Sequence, residues 1–301
     1  MEQSFVAWAK MRAARLPKVK LGIGDDAAVL AVGNGDIVVT TDSLLDGTHF
    51  ILSDIEPRLV GRKLVSVNLS DLAAMAADPE ALFLSLCLPR DLPEEIAAEI
   101  YEGFCDQAGA YGCALAGGDT NCWSGPLAVH ATAIGRATEY GVWTRSGARA
   151  EDLIVVTGPL GGSLLGKHLT FEPRVHWSQQ VRSLAIVNAA MDISDGLTID
   201  LLRMCNASGI GAVLDPKLVP ISAAADEMSR TSGKTALDHA LGDGEDFELL
   251  LSISPEDLPR LQELVGADQA IPVGTFISRT GLWAKNGSRI EQLPATGYIH
   301  R

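Results

Sequence analysis

The sequence predicts two consecutive domains that mix α-helix and β-strand: an N-terminal α+β unit built on a mixed sheet, then a C-terminal α/β unit. Three observations carry this. At about 100 to 200 residues per domain, 301 residues suit two units of ordinary size. Short β-branched or apolar runs alternate with longer helical runs in both halves. Between them, residues 135–152 (GRATEYGVWTRSGARAED) turn polar and rich in glycine and arginine, as a domain connection does. The expected units are 1–137 and 148–301.

In chain order, Asp36 to Asp42 (DIVVTTD) is a β-branched strand, and Glu56-Pro57 opens a helix with proline in its first turn, running to about Ala77. Ala81 to Leu88 has the length and near-continuous apolarity of a buried strand. Pro93, Glu94 and Glu95 start a second helix, which Gly112 stops after Tyr111. Cys113 to Ala116 and Leu127 to Ile134 are two further strands, with Gly117-Gly118-Asp119 beginning the break between them. Beyond the connection, Leu153 to Thr157 is a strand, Gly161 onward a helix, and Gly196 to Ala207 another. Phe247 to Ile253 and Ile271 to Phe276 are strands either side of a helix over Leu258 to Val265. Leu282 to Leu293 folds as a hairpin around Asn286-Gly287, whose residue pair suits a tight turn.

Composition excludes several functions. Apolar residues make up 47% and charged residues 21%, too apolar for a disordered chain. A net charge of −14 without any Lys/Arg cluster leaves no footprint for nucleic acid or anionic lipid. No apolar run approaches the roughly 20 residues of a membrane span, and the N-terminus lacks a secretory h-region, so a cytoplasmic location is expected. Five cysteines with no C-x-x-C pair suit reduced, mostly buried thiols.

The 22 aspartates are unevenly placed. Five segments set them beside glycine or small residues: GIGDDAAVL (Asp25, Asp26), TTDSLLDGTHF (Asp42, Asp46), NLSDLAAM (Asp71), GGDT (Asp119) and MDISDGL (Asp192, Asp195). Singly, each has an ordinary reading, since Asp195 or Ser194 suits a helix cap and Asp25 or Asp46 a turn. Asp71 fits such a reading least, because it lies inside a helix among Leu69, Leu72, Ala73, Ala74 and Met75, where an unpaired carboxylate is costly. Asn68, three residues earlier on the same face, could offer a second oxygen to the same point. If these carboxylates converge, a hard cation such as Mg²⁺ must neutralise them, and Mg²⁺ held by carboxylates plus substrate phosphates describes a nucleotide site.

Other signals are weaker. There is no G-x-x-x-x-G-K-[ST] loop, no dinucleotide fingerprint and no G-x-S-x-G elbow. Gly158 to Ser163 (GPLGGS) follows a strand and could present backbone N–H groups to a phosphate, or be a plain turn. Arg145 suits a phosphate fork or an exposed connection residue. His49, after an Asp-rich strand end, is a candidate for substrate contact or an ordinary hydrogen-bonded histidine; the other five histidines show no metal-ligand spacing. Glu245, in GDGEDFEL, could point into a cleft or be a solvated strand-end charge.

Taken in order, GIGDDAAVL, TTDSLLDGTHF, VNLSDLAAMAADP, LAGGDT, TRSGA, VTGPLGGS, MDISDGL and GEDFELL resemble the thiamine-monophosphate kinase family, over about residues 21 to 276. Its superfamily includes aminoimidazole ribonucleotide synthetase, selenophosphate synthetase and the hydrogenase-maturation dehydratase. NLSDLAAM together with DGTHF and GEDFEL resembles the kinase specifically. The resemblance implies an N-terminal domain that pairs with its twin in a homodimer, and ATP with several Mg²⁺ ions in a cleft. It carries metal binding to Asp26, Thr40, Thr41, Asp42, Asp71, Asp119, Asp192 and Asp195. It carries ATP contacts to Gly118, Asp119, Arg145, Ser194 and Tyr101, and thiamine phosphate contacts to His49 and Glu245. The implied reaction is direct phosphoryl transfer from ATP to thiamine monophosphate, with no residue assigned as a general base.

Three positions depart from the pattern. Ala76 and Asp243 stand where glycine is usual, and Ala295 where an aromatic residue often precedes the C-terminal Gly-Tyr. If that aromatic packs on thiamine, Tyr298 or Trp283 must replace it. The alternatives to the kinase are another ATP-using member acting on a different phosphorylated or carboxylated small molecule, and a non-catalytic nucleotide or thiamine-phosphate sensor.

Overall fold

Two β-sheets organise the chain in the computed structural model, which describes residues 7–11, 17–33 and 35–299. The N-terminal sheet contains β1 (Val19–Leu21), β2 (Ala28–Val32), β3 (Gly35–Leu45), β4 (Asp78–Pro89), β5 (Ala114–Trp123) and β6 (Ala128–Arg136), in the order β1-β2-β3-β6-β4-β5. Helix α1 (Pro57–Ala74) links β3 to β4, and α2 (Glu94–Ala110) makes the crossover that lets β4 and β5 run parallel. Both helices cover one face of the sheet. Along β4, Leu82, Leu84 and Leu86 are buried beneath them, while Phe83 on the opposite face is exposed. The apolar run of β4 is therefore buried on one face, not on both as its composition suggested. The helices meet backbone to backbone: a Cβ on Gly61 would lie 1.9 Å from the Ile100 carbonyl oxygen, and one on Gly103 2.0 Å from that of Arg58.

The C-terminal sheet contains β7 (Leu153–Val156), β8 (Val187–Asp192), β9 (Gly211–Leu214), β10 (Leu249–Ile253), β11 (Ile271–Ile277), β12 (Gly281–Asn286) and β13 (Arg289–Gln292), in the order β13-β12-β9-β11-β7-β10-β8. Inside the sheet, β7 is flanked antiparallel by β10 and β11. Around it lie α3 (Val175–Val181), α4 (Leu197–Ser208), α5 (Ala223–Ser232), α6 (Ala236–Gly242) and α7 (Leu258–Val265). The β12–β13 hairpin turns at Asn286-Gly287 as expected, with Gly287 at φ +60°. Among the described residues no helix is long and apolar enough to cross a membrane.

Helix α1 joins the two halves. From Val60 to Ala74 it is buried except at Arg62 and Asp71, as befits a helix with partners on all sides. Lys63, Val67, Ser70 and Ala74, at helical spacing on one face, meet the C-terminal half: Lys63 at Glu245 and His168, Val67 at Phe171 and Phe247, Ser70 at Asp192, and Ala74 in the cluster with Val155 and Ile186.

Several expectations are corrected. Helix α1 ends at Ala74 rather than Ala77, because Ala76 takes a left-handed backbone, φ 53°. Gly117-Gly118-Asp119 is not a break but the middle of β5, where Gly118 abuts Leu84: a Cβ there would lie 1.8 Å from the Leu84 carbonyl oxygen. No helix starts at Gly161, since Gly161 and Gly162 are left-handed; a 3-10 turn at Ser163–Leu165 and one helical turn at Lys167–Thr170 follow. All five thiols are free, but only Cys113 and Cys205 are buried, and Cys122 is exposed. The short strands β1, β2, β8 and β9 and helices α3, α5 and α6 lacked periodic runs long enough to announce them.

Candidate active site

A cleft of about 630 Å³ opens between the two halves. Asp42, Leu44, His49, Val67 and Asp71 line it from the N-terminal half, and Asp192, Ser194, Asp195, Glu245, Phe247 and Tyr298 from the C-terminal half. Segments far apart in sequence thus meet because α1 docks across the junction.

One end is acidic. Carboxylate oxygens of Asp26, Asp71 and Asp192 lie within 4.8 Å of one another. Asp71 reaches this point from the last turns of α1, and Asp192 from the end of β8. Asp26 stands on the turn before β2. Burial raises the pKa of all three; repulsion from neighbouring carboxylates, Asp42 foremost for Asp71 and Asp26 for Asp192, raises those two further, whereas the Arg145 charge partly offsets the rise at Asp26. Asp42 itself is pushed up to about 6, mainly by burial. Thr40 Oγ1 donates to Asp71 Oδ2 at 2.5 Å, and Ser70 Oγ to Asp192 Oδ2 at 2.7 Å. Asp26 Oδ2 and Asn68 Oδ1 are buried with no hydrogen-bond partner. Oxygen donors crowded together, desolvated and partly unsatisfied fit a hard divalent cation. The Asn68 amide nitrogen is turned back to the Leu64 carbonyl at 2.9 Å.

Arginines hold the margins of this end. Arg145 donates to Asp26 Oδ1 from Nη2 at 2.6 Å and from Nε at 3.1 Å, and its backbone N–H donates to Asp25. It is therefore neither an exposed connection residue nor an unengaged fork. Burial tends to lower its pKa, but Asp26 outweighs this and the net shift is upward. Arg203 binds Asp195 Oδ2 and Asp200 Oδ1, each at 2.6 Å. Asp200 Oδ2 accepts the backbone N–H groups of Ser194, Asp195 and Gly196 at 3.0 to 3.1 Å. Neither Asp195 nor Ser194 caps α4; Asp200, inside its first turn, instead gathers the turn that precedes the helix, and burial pushes the Asp200 carboxyl up to about 7.

The other end combines apolar walls with one ionised pair. Phe247 stacks on Phe171 at 4.2 Å beside Val67. Glu245 pairs with fully buried Lys63 at 2.7 Å and with His168 at 3.1 Å, its side chain 20% exposed, so it is not a solvated strand-end charge. Burial opposes its ionisation, but the His168 hydrogen bond and the Lys63 charge overcome this and hold the carboxyl below its usual range. Glu245 and Phe247 both adopt left-handed backbone, φ 66° and 50°, strain of a kind that collects at functional sites. His49 Nδ1 accepts the Leu45 N–H at 3.0 Å. Tyr298 is positioned by its N–H to the Asp195 carbonyl, 2.9 Å, and by Gly297, where a Cβ would lie 2.5 Å from Ile199 Cγ2. Trp283 lies on β12 under the Arg279 guanidinium, outside the cleft lining, so of the two only Tyr298 lines the cleft.

Some sequence candidates are not brought together. Thr41 follows Thr40 on the opposite face of β3, where its hydroxyl donates to the Ala131 carbonyl. Asp119 is in register with Ser85, Ser85 with His130, and His130 with Ser43, which puts Asp119 and Gly118 three strands from β3, about 14 Å at the usual strand spacing. Tyr101 is exposed on α2 and does not line the cleft. Asp46 serves a turn, accepting the Leu52 N–H. The GPLGGS segment is no phosphate cradle, since Asp246 accepts the Gly161 N–H and Asp243 that of Gly162. Lys63, His168, Asp200 and Arg203 escaped the sequence reading. None of them carried a local signal: Lys63 directly follows Arg62 in a helix that also holds Arg58, Asn68 and Asp71.

Comparison with known proteins follows the same outline. Residues 24–137 match the family of AIR synthase related proteins, N-terminal domain, and residues 170–283 the corresponding C-terminal domain. The chain is 41% identical to a thiamine-monophosphate kinase of Rhodopirellula baltica, covering 100% of this chain and 97% of the relative. It is 39% identical to one of Escherichia coli over 81% of this chain and 79% of that protein. The solved structure of AaThiL complexed with AMPPCP and TMP superposes with a TM-score of 0.85 at 26% identity, over 99% of this chain and 96% of that one. A thiamine-monophosphate kinase structure from Stenotrophomonas maltophilia gives a TM-score of 0.75 at 30% identity, over 95% and 96%.

Proposed function

For this chain, which belongs to the thiamine-monophosphate kinase family within the AIR synthase related proteins, we propose that it transfers the γ-phosphoryl group of ATP directly to thiamine monophosphate, giving thiamine diphosphate and ADP. The observation that carries this reading is one cleft with a desolvated aspartate cluster at one end and Glu245, His49, Phe247 and Tyr298 at the other. Anionic Glu245 beside Phe247 and Val67 suits a cationic aromatic ring such as thiazolium, and Tyr298 offers a second flat surface.

Asp26, Asp71 and Asp192 would hold Mg²⁺, with Asp42 and Asp195 alongside; the ion supplies charge neutralisation where two phosphate groups converge. The protein's own contribution is alignment. The Asp200 carboxylate shapes the Ser194–Gly196 turn against the donor phosphates, and Arg145 steadies Asp26 while keeping a guanidinium edge beside them. The acceptor phosphate, with a second pKa of about 6, is already mostly ionised at neutral pH, so in-line attack requires no general base.

The uncovered face of the N-terminal sheet and its edge strand β5 provide the surface for a homodimer in the cytoplasm. Gly118, Asp119 and Tyr101 would then serve a site completed by the second copy. The two units, 1–137 and 148–301, act as jaws of the cleft.

Phosphorus NMR of the protein with ATP, Mg²⁺ and thiamine monophosphate tests the reading. Thiamine diphosphate and ADP should form together, and Asp71→Asn should form neither. ATP binding without ADP would point to a different acceptor or to a sensor.

A further inference from the structure

The ammonium of Lys63 is fully enclosed, its side chain 0% exposed. Its Nζ lies 2.7 Å from Glu245 Oε1, 2.8 Å from the His49 carbonyl oxygen and 2.9 Å from His168 Nδ1. Two of its three N–H donors have oxygen acceptors, Glu245 Oε1 and the His49 carbonyl, and its third neighbour is His168 Nδ1, which also lies 3.1 Å from Glu245 Oε2 and donates to it. The three partners come from three different places: the loop after β3, the GEDF segment before β10, and the helical turn Lys167–Thr170. Lys63 does not itself line the cleft, whereas His49 and Glu245 do.

We infer that Lys63 is a positioning residue for the acceptor, a buried tripod that fixes the Glu245 carboxylate and the His49 loop in one geometry across the junction of the two halves. The inference rests on the acceptor assignment above and names the residue that makes the acceptor end rigid. Glu245 needs such an anchor, because its left-handed backbone is not one that glutamate adopts unaided. Its N–H to the Ser194 carbonyl, 2.7 Å, fixes the main chain, and Lys63 fixes the carboxylate. Arginine is no substitute, since a planar fork does not meet three partners from one atom.

The test is steady-state kinetics of Lys63→Met, a variant of similar length without charge. The Michaelis constant for thiamine monophosphate should rise at least tenfold, with that for ATP unchanged within twofold. Glu245→Gln should show the same selectivity, and the double variant should fall well short of the product of the two single effects, since Lys63 acts in large part through Glu245. Equal loss for both substrates, or effects that multiply, would overturn the inference. If Lys63→Met does not fold, Lys63→Gln, which keeps one donor, is held to the same criteria. Wild-type protein that neither binds nor converts thiamine monophosphate would defeat the acceptor assignment alone. Lys63 is then decided by amide exchange in Lys63→Met, where segments 46–50 and 244–247 should exchange at least tenfold faster than in wild type; unchanged exchange would refute the tripod.

Discussion

Arg145 Nη2 lies 2.6 Å from Asp26 Oδ1, an ion pair in which the aspartate side chain is 0% exposed and the arginine 22%. Asp26 comes from the turn before β2, and Arg145 from the connection between β6 and β7. The pair therefore ties the acidic end of the cleft to the start of the C-terminal unit.

Arg145→Ala strands a buried carboxylate, a loss of about 3 kcal/mol for breaking such a pair. In EDTA the variant should unfold at markedly lower urea than wild type, and millimolar Mg²⁺ should recover part of the difference by satisfying the same oxygen. A destabilisation indifferent to Mg²⁺ would separate Arg145 from the metal site.

Asp71→Asn should have opposite effects on stability and activity. Asp71 is desolvated and repelled by Asp42, Asp192 and Asp26, so removing its charge should raise the melting temperature of the metal-free protein. Phosphoryl transfer should fall by at least a hundredfold. Differential scanning calorimetry in EDTA, beside the phosphorus NMR assay, checks both.

The metal-free protein should lose stability as pH rises from 5 to 7.5. Burial is the chief cause that lifts Asp25, Asp42 and Asp246 to about 6 and Asp200 to about 7. Through most of this window the folded protein still holds protons that the unfolded chain, with carboxyl pKa near 4, has released. Stability is therefore greatest at the acid end and falls through the folded pKa values. Groups held low, such as Glu245, are ionised in both states above pH 5 and add no slope. Melting temperatures in EDTA should decline across the window, and Mg²⁺ should flatten the part due to Asp42 while leaving that of Asp246, which is bonded to Gly161 and Ser163 instead.

Ala76→Gly should stabilise the protein by about 1 kcal/mol, because the left-handed backbone just after α1 costs alanine and not glycine. Urea titration at fixed Mg²⁺ reads this directly, and a loss of stability would mean that the alanine methyl group contributes packing worth more than the strain.

Local sequence sufficed for the helical and strand identity of most longer elements, the α1 and α2 starts at proline and glutamate, and the Asn286-Gly287 hairpin, because periodicity and turn chemistry are local. The family motifs also marked the aspartates, His49 and Glu245 before any of them had a neighbour. Which aspartates converge depends instead on packing between distant segments. Asp26, Asp71 and Asp192 lie on separate elements, and docking of α1 between the two sheets brings them within reach of one ion, while Asp119, equally acidic in sequence, stays three strands away. Burial of Lys63 and the hold of Asp200 on the Ser194–Gly196 turn were equally invisible, since a lysine or aspartate acquires a shifted pKa and a partner only when packing removes water and supplies the opposite charge.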